Sequence, residues 1–342
     1  VGFQDLEDDY EEDAAEHHYS MRLRHALPTA QGMFEAFEGR WVYAHGEHPS
    51  DPFGIGDAPC LPGFDEAQDQ IDDFAAETAE FVKMAHEAEL PLYAHLVNLF
   101  MGGSMPPPMH SVAIHETCAL GQSMAAAARS MLRGVNTLKI KLDPDVGLEQ
   151  SLKSLRLMRD TYPDIHLRID LAAGMSESLE LGQDPRPLLE EFAELELDYL
   201  EDPVSVELID LLPTGIVPLA LDLVSCSFEQ AIECVERRQI DVLVLKPQLC
   251  GSFGRAFTLA RTARARGVQV VLSSLYDSPV GIATLLHFAV ALGVDDCAHG
   301  LNTLSLIYPH PCALLKPGKD GRILIPTGLG LGLGEGPWMP KL

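Results

Sequence analysis

Basic residues are scarce in this chain. Lys and Arg total 24 against 51 Asp and Glu, a formal net charge of −27 over 342 residues. A chain this acidic repels nucleic acid and an anionic membrane surface alike. Any anionic ligand it takes needs a local cation to overcome the surrounding field. Cysteines are few and scattered. Cys60, Cys118, Cys226, Cys234, Cys250, Cys297 and Cys312 are odd in number, and none forms a C-x-x-C pair. That pattern argues against a zinc site and for free thiols in a reducing cytoplasm. No apolar run reaches membrane-spanning length, and nothing at the N-terminus reads as a signal peptide, so a cytoplasmic location is expected. No Gly-x-Gly-x-x-Gly follows a strand early in a βαβ unit, which leaves a dinucleotide fold without support.

What is present is an ordinary core former, 46% hydrophobic and long enough for one large domain or one large and one small. Residues 1–18 carry eight acids and no Lys or Arg, and read as a disordered acidic tail. Residues 21–24, 33–37 and 41–44 are short strand-like runs separated by turn residues such as Gly39, which predicts a small antiparallel sheet. The Gly- and Pro-rich stretch Gly54–Phe64 reads as a structured loop. From Glu66 to about Leu99, Ile71, Phe74, Phe81, Met84 and Ala85 recur at helical spacing. The run Met101–Met109, rich in Gly and Pro, breaks that pattern as a domain junction.

Beyond it a unit repeats every 20–30 residues or so. Strand-like runs at 112–115, 137–142, 167–170, 197–201, 219–222, 242–246 and 269–274 alternate with helical stretches. This predicts a parallel sheet, and seven or eight such units fit a closed (β/α) barrel. A doubly wound open sheet is the structural alternative.

In Thr137–Asp143, Lys139 and Lys141 share one face of a strand, about 7 Å apart. Alone, that is as well read as a solvated lysine face. The other strands change the reading, because they end in single charged residues: Asp170, Glu201, Asp222 and Lys246. In a barrel the active site lies at that end of the strands. Three converging carboxylates suit a hard cation such as Mg²⁺, with Mn²⁺ as the alternative ion. A metal that holds a substrate carboxylate stabilises the enediolate formed when the α-proton leaves. A lysine serves as the base if a neighbouring cation and burial lower its pKa, and Lys139 beside Lys141 supplies the neighbour.

These residues resemble the enolase superfamily, in the muconate-lactonising-enzyme subgroup with Lys-x-Lys on the second strand and Lys on the sixth. The details are most similar to the o-succinylbenzoate synthase family. Gly56–Phe64 resembles that family's capping loop, Leu245–Ser252 its sixth-strand segment, and Ser273-Ser274 with Asp277 and Gly281 its Ser-Ser segment. His299–Thr303 resembles its Gly-Leu-Asp-Thr. The likeness spans roughly residues 20–335.

The resemblance implies an α+β capping domain over about 19–105, aided by a C-terminal tail from about 316 to 342, and a (β/α) barrel over 106–315. It implies Mg²⁺ on Asp170, Glu201 and Asp222, with Lys141, Lys246 and Lys139 catalytic. It also implies substrate contacts from Ser273, Ser274, Gly300, Pro62, Gly63 and Phe64. The partner is a small anionic carboxylate, with neither nucleic acid nor membrane. The implied reaction dehydrates 2-succinyl-6-hydroxy-2,4-cyclohexadiene-1-carboxylate to 2-succinylbenzoate, in menaquinone or phylloquinone synthesis. A racemase or epimerase of N-acylamino acids or dipeptides, and a non-catalytic barrel, remain open on the same residues. Four positions depart from the family pattern: Ala172 where Asn is usual, Leu223-Val224 where Glu-Ser is usual, and Asp202 for Glu. They read as neighbours that orient the metal ligands. The histidines His17, His18, His45, His48, His86, His95, His110 and His115 match no ligand spacing and read as satisfied or exposed.

Overall fold

The computed structural model describes residues 3–4, 16–29, 32–46, 52–60, 65–106, 109–143 and 146–334. Strands β1 (Phe3–Gln4), β2 (Glu16–Thr29), β3 (Gly32–Ala44) and β4 (Gly54–Cys60) form an antiparallel sheet in that order. Alternation builds it. Tyr19, Met21 and Leu23 on β2, and Phe37, Trp41 and Tyr43 on β3, are buried on one face. The strands are longer than the short runs expected. Glu16–His18 belong to β2 and Phe3–Gln4 pair with it, which corrects the disordered-tail expectation at those residues.

Gly54–Cys60 is also corrected, from loop to strand. Its glycines serve contact rather than a turn. A β-carbon on Gly54 or Gly56 would strike the backbone of Ala79 or Ala75 in helix α1 (Gln68–Glu87). Pro59 is tolerated because β4 is the edge of its sheet. Helix α1 buries Ile71, Phe74, Ala75, Thr78, Ala79, Val82 and Ala85, an i, i+3, i+4 stripe. The helical region then breaks at Leu90-Pro91 and restarts as α2 (Leu92–Phe100).

Strand β5 (Ser111–Ala113) lies outside the barrel. The first barrel strand is β6 (Glu116–Ala119), a few residues later than expected. Then follow α3 (Ser123–Leu132), β7 (Thr137–Lys141), α4 (Leu148–Thr161), β8 (His166–Asp170), α5 (Ser176–Glu180), α6 (Arg186–Ala193), β9 (Tyr199–Glu201), β10 (Leu219–Asp222), α7 (Phe228–Arg237), β11 (Val242–Leu245), α8 (Phe253–Ala265), β12 (Gln269–Leu272) and α9 (Pro279–Leu292). The seven strands β6 to β12 are parallel and adjacent in chain order. Residues 299 and 300 close the ring: His299 bridges to Ile114 and Gly300 to Ser273, both in parallel sense. The result is a (β/α) barrel carrying an N-terminal antiparallel cap. Its interior packs Tyr199, Ala220, Val242, Val244 and Val271.

Helix α9 joins the two parts. All of its residues are buried, because α2 and β4 of the cap cover the side that would otherwise face water. Ser278 caps it by accepting from Val280 N, and Gly293, at φ 66°, ends it in the left-handed region. A buried polar joint sits at its start. Asp57 of β4 accepts from Tyr19 Oη at 2.7 Å and from Ser278 N at 2.8 Å, and Trp41 Nε1 donates to Ser278 Oγ at 2.9 Å. Nearby, Asp277 accepts from Leu275 N at 2.8 Å and from Gln248 Nε2 at 2.6 Å. Burial, with Asp277 adding, pushes Asp57 up to about 7, and burial pushes Asp277 up to about 6.

Residues 322–330 tie the C-terminal stretch to the cap helices and β5. β13 (Arg322–Leu324) pairs with β5, and Gly330 exchanges hydrogen bonds with Leu92 N and Leu90 O. Among the described residues no helix is long and apolar enough to cross a membrane. All seven cysteines are free.

Candidate active site

The charged residues singled out in the sequence lie at or near the C-terminal ends of their strands, with Lys139 in mid-strand. Lys139 and Lys141 are on β7, Asp170 ends β8, Glu201 ends β9, Asp222 ends β10, and Lys246 follows β11. Pairing register sets Lys141 beside Asp170 and Asp170 beside Glu201. Lys139 is buried, with Nζ 2.5 Å from Glu201 Oε1 and 3.1 Å from Asp170 Oδ2. Lys141 is 53% exposed, with Nζ 3.3 Å from the same Asp170 oxygen. Lys246 is buried on Asp222 Oδ2. The strand order therefore gives an arc of three acids with a lysine at each end.

The electrostatics follow from burial and these pairs. Burial pushes Glu201 up to about 8 against the pull of Lys139, with Asp170, Asp222 and Asp202 adding to the rise. Asp170 is held well below the usual carboxylate range: burial opposes this, but Lys139 and Lys141 outweigh it. Asp222 is likewise lowered against burial, by Lys246 and Lys139. The lowered pKa expected for Lys141 is corrected. Asp170 raises it above the ordinary lysine range, outweighing burial and the repulsion of Lys139.

At two of the positions that depart from the family pattern, backbone amides meet the strand-end carboxylates. Ala172, at φ 47°, donates its N–H to Asp170 Oδ1 at 3.1 Å, and Val224 N donates to Asp222 Oδ1 at 3.1 Å. Asp202, at φ 42°, accepts from Asp222 N at 2.9 Å and from Ser225 Oγ at 2.5 Å, so it braces the end of β10.

Among the described residues, no three acidic, His or Cys side chains already converge as a formed ion cage. The lysines lie against the carboxylates instead. The donors nevertheless fit a hard dication. They are carboxylates on three adjacent strand ends, and Glu201 Oε2 is buried with no hydrogen-bond partner.

Of the expected substrate contacts, Ser273 and Gly300 meet across the closing bridge, and Ser274 Oγ lies 2.8 Å from Thr303 Oγ1. Pro62, Gly63 and Phe64 lie outside the described residues. The adjoining Asp57 touches Ser278, so β4 reaches the mouth side of the barrel. Sequence reasoning passed over Tyr276, which stacks on Phe37 of the cap with ring centroids 4.4 Å apart and acts electrostatically on Lys141. It also passed over Arg168, whose guanidinium reaches His115, Asp198 and the carbonyl of Ala298 and lies over the Tyr199 ring. Arg168 stands two residues before Asp170, on the same inward face. That period of two was the available signal.

A capped (β/α) barrel with Lys-x-Lys, three strand-end acids and a facing lysine defines the enolase superfamily as the class. The family model described as Enolase C-terminal domain-like matches residues 122–334, more than half of the chain, and the chain belongs to that family. It is 26% identical over 278 residues to the o-succinylbenzoate synthase of Shigella sonnei, covering 74% of this chain and 80% of that protein. It is 29% identical over 204 residues to the o-succinylbenzoate synthase of Mycobacterium bovis, covering 58% of this chain and 60% of that protein. Its fold is similar to that of the L-Ala-D/L-Glu epimerase of Bacillus subtilis, with TM-score 0.74, 18% identity, and 94% and 98% of the two chains covered. It is also similar to a dipeptide epimerase of Cytophaga hutchinsonii solved with Mg and a dipeptide, with TM-score 0.76, 18% identity, and 93% and 94% covered.

Proposed function

We propose that this protein is a cytoplasmic, Mg²⁺-dependent o-succinylbenzoate synthase. It would dehydrate 2-succinyl-6-hydroxy-2,4-cyclohexadiene-1-carboxylate to 2-succinylbenzoate for menaquinone or phylloquinone synthesis. The observation that carries the reading is the arc Lys141–Asp170–Glu201–Asp222–Lys246, with a lysine at each end of three strand-end acids. The sequence relatives support the choice of dehydration within that chemistry.

Asp170, Glu201 and Asp222 would hold Mg²⁺, or Mn²⁺ in its place. When bound, the ion supplies positive charge to the substrate carboxylate, which makes the α-proton easier to remove. An ion held by Asp170 would offset the charge that raises Lys141, leaving burial and Lys139 to lower it. Neutral Lys141 takes the α-proton and, as the ammonium, protonates the departing hydroxyl. Lys246 remains a cation at the other end of the arc. The cap, docked at the mouth through Asp57 and Phe37, keeps water from the reacting carbon.

The test follows formation of the aromatic product with and without added Mg²⁺. Conversion that depends on Mg²⁺ is expected. The placement of Lys246 at the far end of the arc also favours a second reading, a racemase or epimerase with two bases. α-Proton exchange of N-acylamino acids or dipeptides in D₂O, without dehydration, selects that reading. Undetectable Mg²⁺ binding in calorimetry favours the non-catalytic barrel.

A further inference from the structure

The loop between β12 and α9 holds the cap at residues 276 to 278. Tyr276, at φ 63°, stacks on Phe37 with ring centroids 4.4 Å apart. Ser278 donates its N–H to Asp57 Oδ2 at 2.8 Å and accepts from Trp41 Nε1 at 2.9 Å. Between them Asp277 accepts from Leu275 N at 2.8 Å and from Gln248 Nε2 at 2.6 Å, and Gln248 stands two residues after Lys246. Cap, loop and the segment that follows Lys246 thus meet at two acids, Asp57 and Asp277.

Both acids are buried, at 4% and 1% exposure. They come together over Gly281. A β-carbon on that glycine would strike both carboxyls, at 2.5 Å from Asp57 Oδ2 and 2.8 Å from Asp277 Oδ1. The cavity that they line has no room for a water molecule. Helices α1 and α9 present only neutral residues to it: Phe74, Thr78, Gly281 and Thr284. Lys246, the cation that acts on Asp277, is already paired with Asp222. Tyr19 from β2 and Cys60 from β4 also face the pair, and burial pushes both up, so they stay neutral near pH 7. Two buried carboxylates with neither water nor a free counter-cation between them are costly as two charges. One proton on the pair removes that cost. Burial accordingly raises both acids, and Asp277 adds to the rise at Asp57.

We propose that Asp57 and Asp277 are a proton-dependent latch between cap and barrel. While the pair holds a proton, β4 stays seated on residues 276–278. When the last proton leaves, the two facing carboxylates repel, and β4 lifts from the loop while the barrel stays folded. The latch works whichever reaction the barrel runs.

The experiment reads Trp41, which is buried at the latch. The chain has two tryptophans, so Trp338→Phe in the full chain leaves Trp41 alone. Acrylamide quenching of Trp41 should rise several-fold as the pH passes through about 7, with far-UV circular dichroism unchanged. Asp57→Asn and Asp277→Asn, each in that background, leave a single carboxylate at the joint. In both, quenching should be the same at pH 5 and pH 8. Hydrogen exchange of the unmutated chain, corrected for the intrinsic effect of pH, gives a second reading that needs no variant. Residues 54–60 and 275–281 should gain exchange across the same transition, while β10 and β11 do not. Quenching that is flat with pH before the acids are changed overturns the latch. So does a transition that survives in either Asn variant, or exchange that rises equally in β10 and β11. If an Asn variant does not fold, the exchange of the unmutated chain decides.

Discussion

Lys141 Nζ lies 3.3 Å from Oδ2 of Asp170, the same oxygen that Lys139 Nζ reaches at 3.1 Å. One carboxylate oxygen thus faces both lysines of a single strand, and it sets the proton affinity of the half-exposed one. Lys139 is not free to act on Lys141 alone, because its own charge is shared between Asp170 and Glu201. The proposed base is therefore governed by whatever occupies Asp170.

The metal reading makes its sharpest claim at Glu201, whose Oε2 is buried and unpartnered. Glu201→Gln keeps the shape and removes the charge. Calorimetry should show Mg²⁺ binding weakened by more than about 100-fold, a larger loss than removal of a neighbour that only orients a ligand. Circular dichroism should be unchanged. Wild-type affinity in this variant would take Glu201 out of the ion's ligands.

Asp202 tests the support beneath the proposed ligands. It accepts from Asp222 N and from Ser225 Oγ, so it fixes where the Asp222 carboxylate points. Asp202→Ala should cost about 10- to 100-fold in Mg²⁺ affinity with the barrel still folded. Asp202→Asn should cost less, since Asn keeps one acceptor and tolerates a positive φ. Equal losses in the two variants would show that charge rather than orientation is what Asp202 supplies.

Much of this was legible in the sequence, and the reasons are physical. Apolar strands buried on both faces have little use for a charge, so single acids ending 167–170, 197–201 and 219–222 marked one end of a barrel as the candidate site. The alternation that built β2 and β3 was equally visible. Strand β4 was not, because Gly54, Gly56 and Pro59 carry turn chemistry, whereas here the glycines admit α1 and the proline sits on an edge. The pKa of Lys141 was read with the wrong sign, because the adjacent lysine is close in sequence and Asp170 is close only in space. His115 and Arg168 stayed hidden for the same reason: they are 53 residues apart and meet only once the barrel closes.

The joint between cap and barrel makes a pH prediction. Asp57 is raised to about 7, chiefly by burial and then by Asp277, against about 3.9 for an unfolded Asp. Between those values the folded chain holds a proton that the unfolded chain releases. The contribution to stability is therefore full below about pH 4 and is lost as pH rises through about 7. Asp57→Asn removes that titration. Urea unfolding should find the variant less stable than wild type at pH 5 by about 1–3 kcal/mol, since the amide accepts from only one of Tyr19 and Ser278. The difference should shrink or change sign at pH 8. A difference independent of pH would mean that Asp57 does not titrate in this window.

The two lysines decide the reaction. In dehydration, one lysine serves both proton transfers, because the proton and the hydroxyl leave from the same side, and Lys246 need only be a cation. In epimerisation, both lysines must exchange protons with the α-carbon. Arginine keeps the charge and does not deprotonate at working pH. Lys141→Arg should therefore leave essentially no dehydration, while Lys246→Arg should leave a measurable remnant. The guanidinium is bulkier than the ammonium and Lys246 is buried, so Lys246→Met, which removes the charge at similar length, completes the comparison. Activity should fall in the order Lys246→Arg, Lys246→Met, Lys141→Arg. Dehydration by Lys141→Arg that equals or exceeds that of Lys246→Arg would assign the base to Lys246 instead.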